Sequence, residues 1–101
     1  MTRDDMANYI VVYWKDIPSS VEAGEGNAAV RVPLSSRFQE LIDAVAMEQG
    51  LTGTNEYLGQ WEKRPGGARP GEPRDVATAV VAELEKEYFQ IRARVSRKPA
   101  Q

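Results

Sequence analysis

The sequence contains no cysteine and no histidine. These absences exclude disulfides, thiolate nucleophiles, iron–sulfur ligation, and zinc or haem centres that depend on Cys or His. They also exclude every catalytic arrangement that needs a histidine base. An enzyme of this composition would have to use Asp, Glu, Lys, Arg, Tyr or Ser alone, so we expect a non-enzymatic protein with no metal site and no cofactor.

A strong net charge and a long apolar run are also missing. The formal net charge of −2 and the pI near 5.2 differ from the basic surfaces of nucleic-acid-binding proteins. No apolar run approaches the roughly 20 residues that span a bilayer, and the N-terminal residues lack the apolar stretch of a signal peptide. These features predict a cytoplasmic protein that binds neither membranes nor nucleic acids.

The length and hydrophobic content fit one small domain. The chain has 101 residues, of which 42% are hydrophobic, and this is enough for a modest core. We therefore expect a single compact domain over residues 1–101, with flexible ends at 1–7 and 96–101.

The strongest β signal is a run of six β-branched or aromatic residues from Tyr9 to Trp14. Both alternating faces of this run are apolar, as in an interior strand, which we place over 8–15. A proline then interrupts the pattern. Weaker alternation predicts a second strand over 19–23, and a turn rich in Gly and Asn leads to a third over 28–33. We expect these three strands to form an antiparallel meander.

The first helix is predicted from an apolar stripe formed by Phe38, Leu41, Ile42 and Val45 at helical spacing. A serine followed three residues later by glutamine is typical of a capping box at its start. Gly50 stands where a left-handed residue commonly ends a helix.

The segment 57–64 fits two structures, because its apolar residues recur at spacings of three, as in a helix, and of two, as in a strand. We favour a helical turn over 54–57 followed by an edge strand over 58–64. That strand would add a fourth to the sheet.

A loop is predicted over 65–73, which contains three prolines and three glycines. Arg64, Arg69 and Arg74 surround it. A glycine-rich loop before a helix can present backbone N–H groups to a phosphate, and arginines add positive charge. The segment is therefore either an anion-binding site formed by these arginines or a solvated connector, and it has no P-loop spacing.

A long final helix is predicted over 72–95, where apolar residues repeat at spacings of four and three. A helix of this length spans roughly 35 Å, which exceeds the width of a small sheet. Its last turns, with Tyr88, Ile91 and Val95, either cover the sheet or extend beyond it and pair with another chain.

The two tryptophans, Trp14 and Trp61, each precede charged residues, so we expect both near the ends of their elements. Tryptophan is enriched at interaction hot spots. We therefore group them with Tyr88, Ile91 and Val95 as candidate partner-binding residues, with the core as the alternative place for each.

Three stretches, Ile10–Pro18, Arg37–Asp43 and Gly53–Trp61, resemble a small bacterial family described as virulence factor. Together they run through residues 8–64. Domains of this type also occur in longer chains with helical repeats, which implies a scaffold or accessory module. The resemblance further implies a role beside folate- and corrinoid-dependent methyl transfer, and it brings no catalytic motif.

The sequence as a whole predicts an α+β fold. We expect a small, mainly antiparallel β-sheet of about three strands, with a fourth from 58–64, and two helices packed on one face. The favoured function is an accessory or protein-interaction domain that binds a protein partner or a second copy of itself. The alternative is a domain that binds a small anionic or phosphate-bearing ligand through Arg64, Arg69 and Arg74.

Overall fold

The computed structural model describes residues 6–96. Its elements are, in chain order, β1 (Met6–Trp14), β2 (Ile17–Ala23), a short 3-10 turn (Gly26–Ala28), β3 (Val30–Pro33), α1 (Ser36–Glu48), α2 (Asn55–Gly59), β4 (Trp61–Pro70), α3 (Pro73–Lys86) and α4 (Tyr88–Ser96). The strands form one antiparallel sheet in the order β3-β2-β1-β4. The α+β class and the fourth strand are therefore confirmed.

The central strand β1 has two different faces, because side chains alternate along a strand. Tyr9, Val11 and Tyr13 point toward α3 and line a groove with it. Ile10 and Val12 lie on the opposite face of the sheet. Val11 belongs to the main core cluster, whereas Val12 does not, so α3 packs on the core side of β1. Trp14 is the exception, since it lies on the face of Val12 at the end of the strand and is still part of the core.

The proline after β1 does not interrupt the sheet as expected, because β2 begins at Ile17 and contains Pro18. The strand accommodates the proline through a bulge. Val12 pairs with Ser20 and Tyr13 pairs with Pro18, so Ser19 is the extra residue on β2. Bulges are among the few places in a sheet where proline is tolerated.

The loop predicted over 65–73 is wrong for residues 65–70, which form the second half of β4. β4 is an edge strand, and an edge accepts prolines because half of its backbone groups need no partner. The strand is also bulged at Gly66, since Tyr9 pairs with Gly67 and Ile10 pairs with Pro65. A side chain at Gly66 would collide with the ring of Tyr9, so the glycine lets the two strands come together.

The prediction of a single long helix over 72–95 is wrong, because the helix is interrupted at Glu87, between the end of α3 at Lys86 and the start of α4 at Tyr88. No proline or glycine marks this break. Arg37 of α1 instead donates a hydrogen bond of 2.8 Å to the backbone carbonyl of Glu85, in the last turn of α3. Ile91 of α4 is buried. With the break at Glu87 and the short helix α2, the described residues contain four helices where two were expected.

The α1 helix and its end agree with the sequence analysis. Its buried residues include the predicted stripe, and Gly50 has a φ of 71°, in the left-handed region. The capping box does not form: the N-cap is Ser35, whose hydroxyl bonds to Glu85, while Gln39 bonds to Asp43. The helical turn predicted over 54–57 is the short helix α2, Asn55–Gly59.

The predicted flexible ends fall mostly outside the described residues. Residues 1–5 and 97–101 are not described, but Met6 and Ala7 belong to β1 and Ser96 ends α4. Ala7 is a buried core residue, so the ordered sheet begins earlier than expected.

Candidate functional site

Two of the five candidate partner-binding residues are interior residues. Trp14 is 0% exposed and Ile91 is 2% exposed, so neither can form part of a surface in this fold. Both lie in the core, which is the alternative place that the sequence analysis left open for each of them. Trp61, Tyr88 and Val95 are half-buried and remain accessible at one side.

Trp14 has a structural role at the end of β1. Its indole N–H donates a hydrogen bond of 2.9 Å to the backbone carbonyl of Tyr57, and the two ring centroids are 5.4 Å apart. The charged residues that follow it form the hairpin turn to β2. They correctly marked the end of the strand, but they carry no information about the burial of the ring.

A surface cluster lies directly beside Trp14, and we name it the aromatic corner: Tyr57, Leu58 and Trp61. The ring of Trp61 stands edge-on to that of Tyr57, with centroids 6.3 Å apart and an interplanar angle of 85°. Leu58 is 65% exposed, although it is a large apolar residue. The buried ring of Trp14 thus contacts Tyr57, which contacts Trp61, and both of these rings are half-buried while Leu58 is exposed.

The local sequence fixes the direction of α2, which carries the aromatic corner. The Thr54 hydroxyl accepts a hydrogen bond from the Tyr57 N–H at 3.1 Å and donates one to the Leu51 carbonyl at 2.6 Å. Thr54 is thus an N-cap residue of the usual kind. The cap holds Tyr57 in place over Trp14.

The sheet face beside the aromatic corner has a mixed character. Trp61 pairs with Trp14 and Lys63 pairs with Val12, so these side chains share the face that α3 does not cover. Lys63 lies 3.4 Å from Glu22 in an exposed ion pair on this face. The aromatic corner therefore borders an apolar strip formed by Ile10 and Val12, with the Lys63–Glu22 ion pair at its edge.

Arg64 does not offer a free guanidinium to an anion. It donates to the Lys15 carbonyl at 2.8 Å and pairs with Glu62 at 3.2 Å and with Asp16 at 3.3 Å. Its guanidinium carbon also lies 4.1 Å from the ring centroid of Tyr13. Arg64 therefore ties β4 to the hairpin turn.

Arg69 is held still more tightly, by a bidentate pair with Glu83 at 2.7 and 2.8 Å. These hydrogen bonds raise the pKa of Arg69 and lower the pKa of Glu83. Arg69 and Arg64 line one groove, whereas Arg74 does not line it and lies exposed in the first turn of α3. The structure thus brings together two of the three predicted anion-binding arginines, and both already have carboxylate partners.

Glu85 of α3 forms a contact with the start of α1 for which the sequence gives no signal. Its carboxylate accepts hydrogen bonds from the Ser35 N–H at 2.6 Å, the Ser35 hydroxyl at 2.9 Å and Arg37 at 3.2 Å. The partners are 48 to 50 residues away in sequence, so no local pattern could reveal them. Glu85 therefore caps α1 from α3.

The Glu85 contact predicts a pH-dependent stability. Partial burial raises the pKa of the Glu85 carboxyl, but the hydrogen bonds from Ser35 and Arg37 outweigh it, and the net pKa is lowered. The stabilisation is therefore present above the ordinary carboxyl pKa of about 4.3, and it is lost as pH falls through the lowered folded value. Glu85→Gln should cost about 1 kcal/mol at pH 7, and much less at pH 3.

Urea unfolding at both pH values measures this effect. Glu40→Gln is the matched control, because Glu40 is an exposed glutamate of α1 with no side-chain partner in the part of the chain that the structure describes. Equal stability of Glu85→Gln and wild type at pH 7 would contradict the capping role.

The described residues offer few other chemistries. Between Met6 and Ser96 no group of three or more acidic side chains is placed to hold a metal ion. Across the same residues, none of the helices combines the length and the apolar character needed to cross a membrane. The accessible features of these residues include an open concave surface around Asn8, Gly24 and Pro73, the aromatic corner, and the groove with its arginines.

Comparison with known proteins gives one match. The family model described as virulence factor matches residues 12–95. No curated protein and no solved structure matches the chain. The matched range contains the aromatic corner, both groove arginines and the Glu85 cap, so all three features lie within the family domain.

Proposed function

Because this chain belongs to the virulence factor family, whose model covers most of its length, we propose that it is a small non-enzymatic accessory domain that binds a protein partner through the aromatic corner. The observation that carries the proposal is Leu58, which is 65% exposed and next in sequence to Tyr57, whose ring contacts the half-buried ring of Trp61. Large apolar side chains grouped in this way on a surface are typical of interaction sites.

The rigidity of the aromatic corner supports this role. Trp14 is fully buried and contacts Tyr57, which in turn contacts Trp61. A partner would therefore meet rings whose positions are already fixed by the core, and the binding free energy would not be reduced by ordering them. Tryptophan and tyrosine anchored in this way are the residues most often found at hot spots.

The complementary partner surface would present an apolar pocket for Trp61 and Leu58, with polar groups facing the Lys63–Glu22 pair at the rim. The family resemblance suggests where to look for it, since it links such domains to folate- and corrinoid-dependent methyl transfer. A protein of such an enzyme system is the first candidate, and a second copy of this chain is the other.

A comparison of variants tests the proposal. The double variant Trp61→Ser with Leu58→Ser should weaken partner binding about 30-fold or more, because truncation of a hot-spot residue costs about 2 kcal/mol. Quantitative pull-down from a lysate of the source organism measures the recovery, and sedimentation velocity of the pure protein measures self-association. Both side chains are accessible, so the fold should be kept, which circular dichroism checks.

Met47→Ser is the matched control, because Met47 is 70% exposed and lies on α1, so it is not part of the aromatic corner. A protein recovered equally with wild type and Met47→Ser, and lost with the double variant, supports the proposal. Equal recovery with all three would contradict it.

The alternative function, binding of an anion or phosphate ligand through Arg64, Arg69 and Arg74, has less support. An anion would have to replace Glu83 on Arg69, and Asp16 and Glu62 on Arg64. Arg74 stands outside the groove that the other two line. We therefore do not propose it as the function of this domain.

A further inference from the structure

A groove of about 330 Å³ lies between the sheet and α3, separate from the aromatic corner. Its floor is formed by Tyr9, Val11 and Tyr13 of β1. One water takes about 30 Å³ in the liquid, so the groove is large enough for a side chain or a small organic ligand. Arginines of β4 and glutamates at the end of α3 form its two walls, so both signs of charge face the groove.

Both tyrosines of the floor already contact a guanidinium group. The guanidinium carbon of Arg64 lies 4.1 Å from the centroid of Tyr13, and that of Arg69 lies 5.3 Å from the centroid of Tyr9. These distances are within the range of cation–π interaction. The floor of the groove is therefore suited to planar cations.

The bulge of β4 is what places Tyr9 in this floor. Gly66 lies so close beneath the Tyr9 ring that any side chain there would collide with it. Gly66 thus allows the Tyr9 ring of β1 to lie close against β4.

The opposite wall carries carboxylates from the end of α3. Glu83 binds the Arg69 guanidinium through both oxygens, a fork-to-fork geometry that is specific to guanidinium groups. Glu87 lies four residues later and lines the same groove. Among residues 6–96 its side chain forms no hydrogen bond or ion pair, so within the described part of the chain one carboxylate of the wall is unused.

We infer that this groove is a binding site for a guanidinium group, and that Arg69 is a resident cation which the ligand replaces. The entering guanidinium would take the place of Arg69 on Glu83, lie over Tyr9 and be held on its other side by Glu87. An arginine side chain of a partner protein and a free guanidino compound share this chemistry. The inference goes beyond the proposed function and does not depend on it, because it concerns a different site.

The change in ligand affinity on removal of the Arg69 charge distinguishes guanidinium binding from anion binding. If the groove binds a guanidinium, loss of the Arg69 charge removes a competitor and strengthens binding. If the groove binds an anion, the same loss removes a positive charge that would contact the anion, and binding is weakened. Arg69→Gln therefore gives opposite results for the two ligand classes.

Titration calorimetry with four probes tests the inference on the full chain: N-acetyl-argininamide, the tripeptide Gly-Arg-Gly, N-acetyl-lysinamide and inorganic phosphate. Arg69→Gln should bind the arginine derivative about tenfold more tightly than wild type, and Glu87→Gln about tenfold less tightly, as expected for one charged contact worth about 1.4 kcal/mol. The lysine derivative should bind more weakly than the arginine derivative. Arg74→Gln, outside the groove, should leave every affinity unchanged.

Tighter binding of the tripeptide than of the free amide would identify a partner protein as the source of the guanidinium, and equal binding would identify a small molecule. Absence of binding of the arginine derivative to both wild type and Arg69→Gln would overturn the inference. So would phosphate binding that disappears in Arg69→Gln. Circular dichroism confirms that the variants are folded, since each changes an accessible side chain.

Discussion

Replacement of Trp14 by alanine is expected to lower the free energy of unfolding by about 3–5 kcal/mol. The ring is 0% exposed, so its removal leaves a large cavity at the end of β1. It also leaves the carbonyl of Tyr57 without its indole donor and removes the ring that supports Tyr57. A loss of this size is a large fraction of the stability of a small domain, so the variant should be close to unfolding at room temperature.

Urea unfolding followed by circular dichroism measures this loss. Trp14→Phe is an informative companion, because it keeps most of the buried ring and removes the N–H, and it should cost less than the alanine variant. Trp61→Ala is the matched control for a tryptophan that is only half-buried. If Trp14→Ala were no less stable than Trp61→Ala, the assignment of Trp14 to the core would be wrong.

Replacement of Ile91 by alanine is expected to cost about 2–4 kcal/mol, as for other buried aliphatic residues. Ile91 is 2% exposed and is the only residue of α4 that is buried among those described. It therefore anchors α4 to the core, next to the contact of Tyr88 with Phe38, whose ring centroids are 5.1 Å apart. Loss of this anchor should loosen the helix as well as destabilise the fold.

The neighbouring Phe89 supplies the control for Ile91. Phe89 is 64% exposed, so Phe89→Ala should change the free energy of unfolding by no more than about 0.5 kcal/mol. Chemical unfolding gives the two values, and helix content of the native state follows from the far-UV spectrum. Similar small losses for both variants would mean that α4 is held by something other than Ile91.

The two sites described above lie on different faces of the sheet. Trp61 points to the face that α3 leaves uncovered, whereas Arg64 stacks on Tyr13 on the α3 side. A substitution at one site therefore leaves the other intact. Failure of partner binding at the aromatic corner and failure of guanidinium binding in the groove are separate experimental outcomes.

The elements that depend on local pattern were predictable from the sequence. The apolar run of β1 and the helical stripe of α1 both appear where expected, because each element buries the residues that its own period places on one face. The end of α1 at Gly50 also follows from a local rule about left-handed residues.

The elements that depend on distant contacts were not predictable. β4 continues past Pro65 because Gly66 fits beneath a ring on β1, and α3 ends at Lys86 beside a hydrogen bond from Arg37 of α1. Neither partner can be identified from the local sequence. The same limit explains why Trp14 and Ile91 were assigned to a surface: charged neighbours show where an element ends, but burial depends on what packs there.

The most direct test of the aromatic corner uses the absence of cysteine, since one introduced thiol can be labelled without removing any other. Leu58→Cys and Met47→Cys, each carrying a benzophenone photocrosslinker, would be irradiated in a lysate of the source organism. Both positions are exposed to a similar degree. The account predicts one dominant covalent adduct from position 58 that position 47 does not give. The same adducts from both positions, or none from position 58, would contradict it.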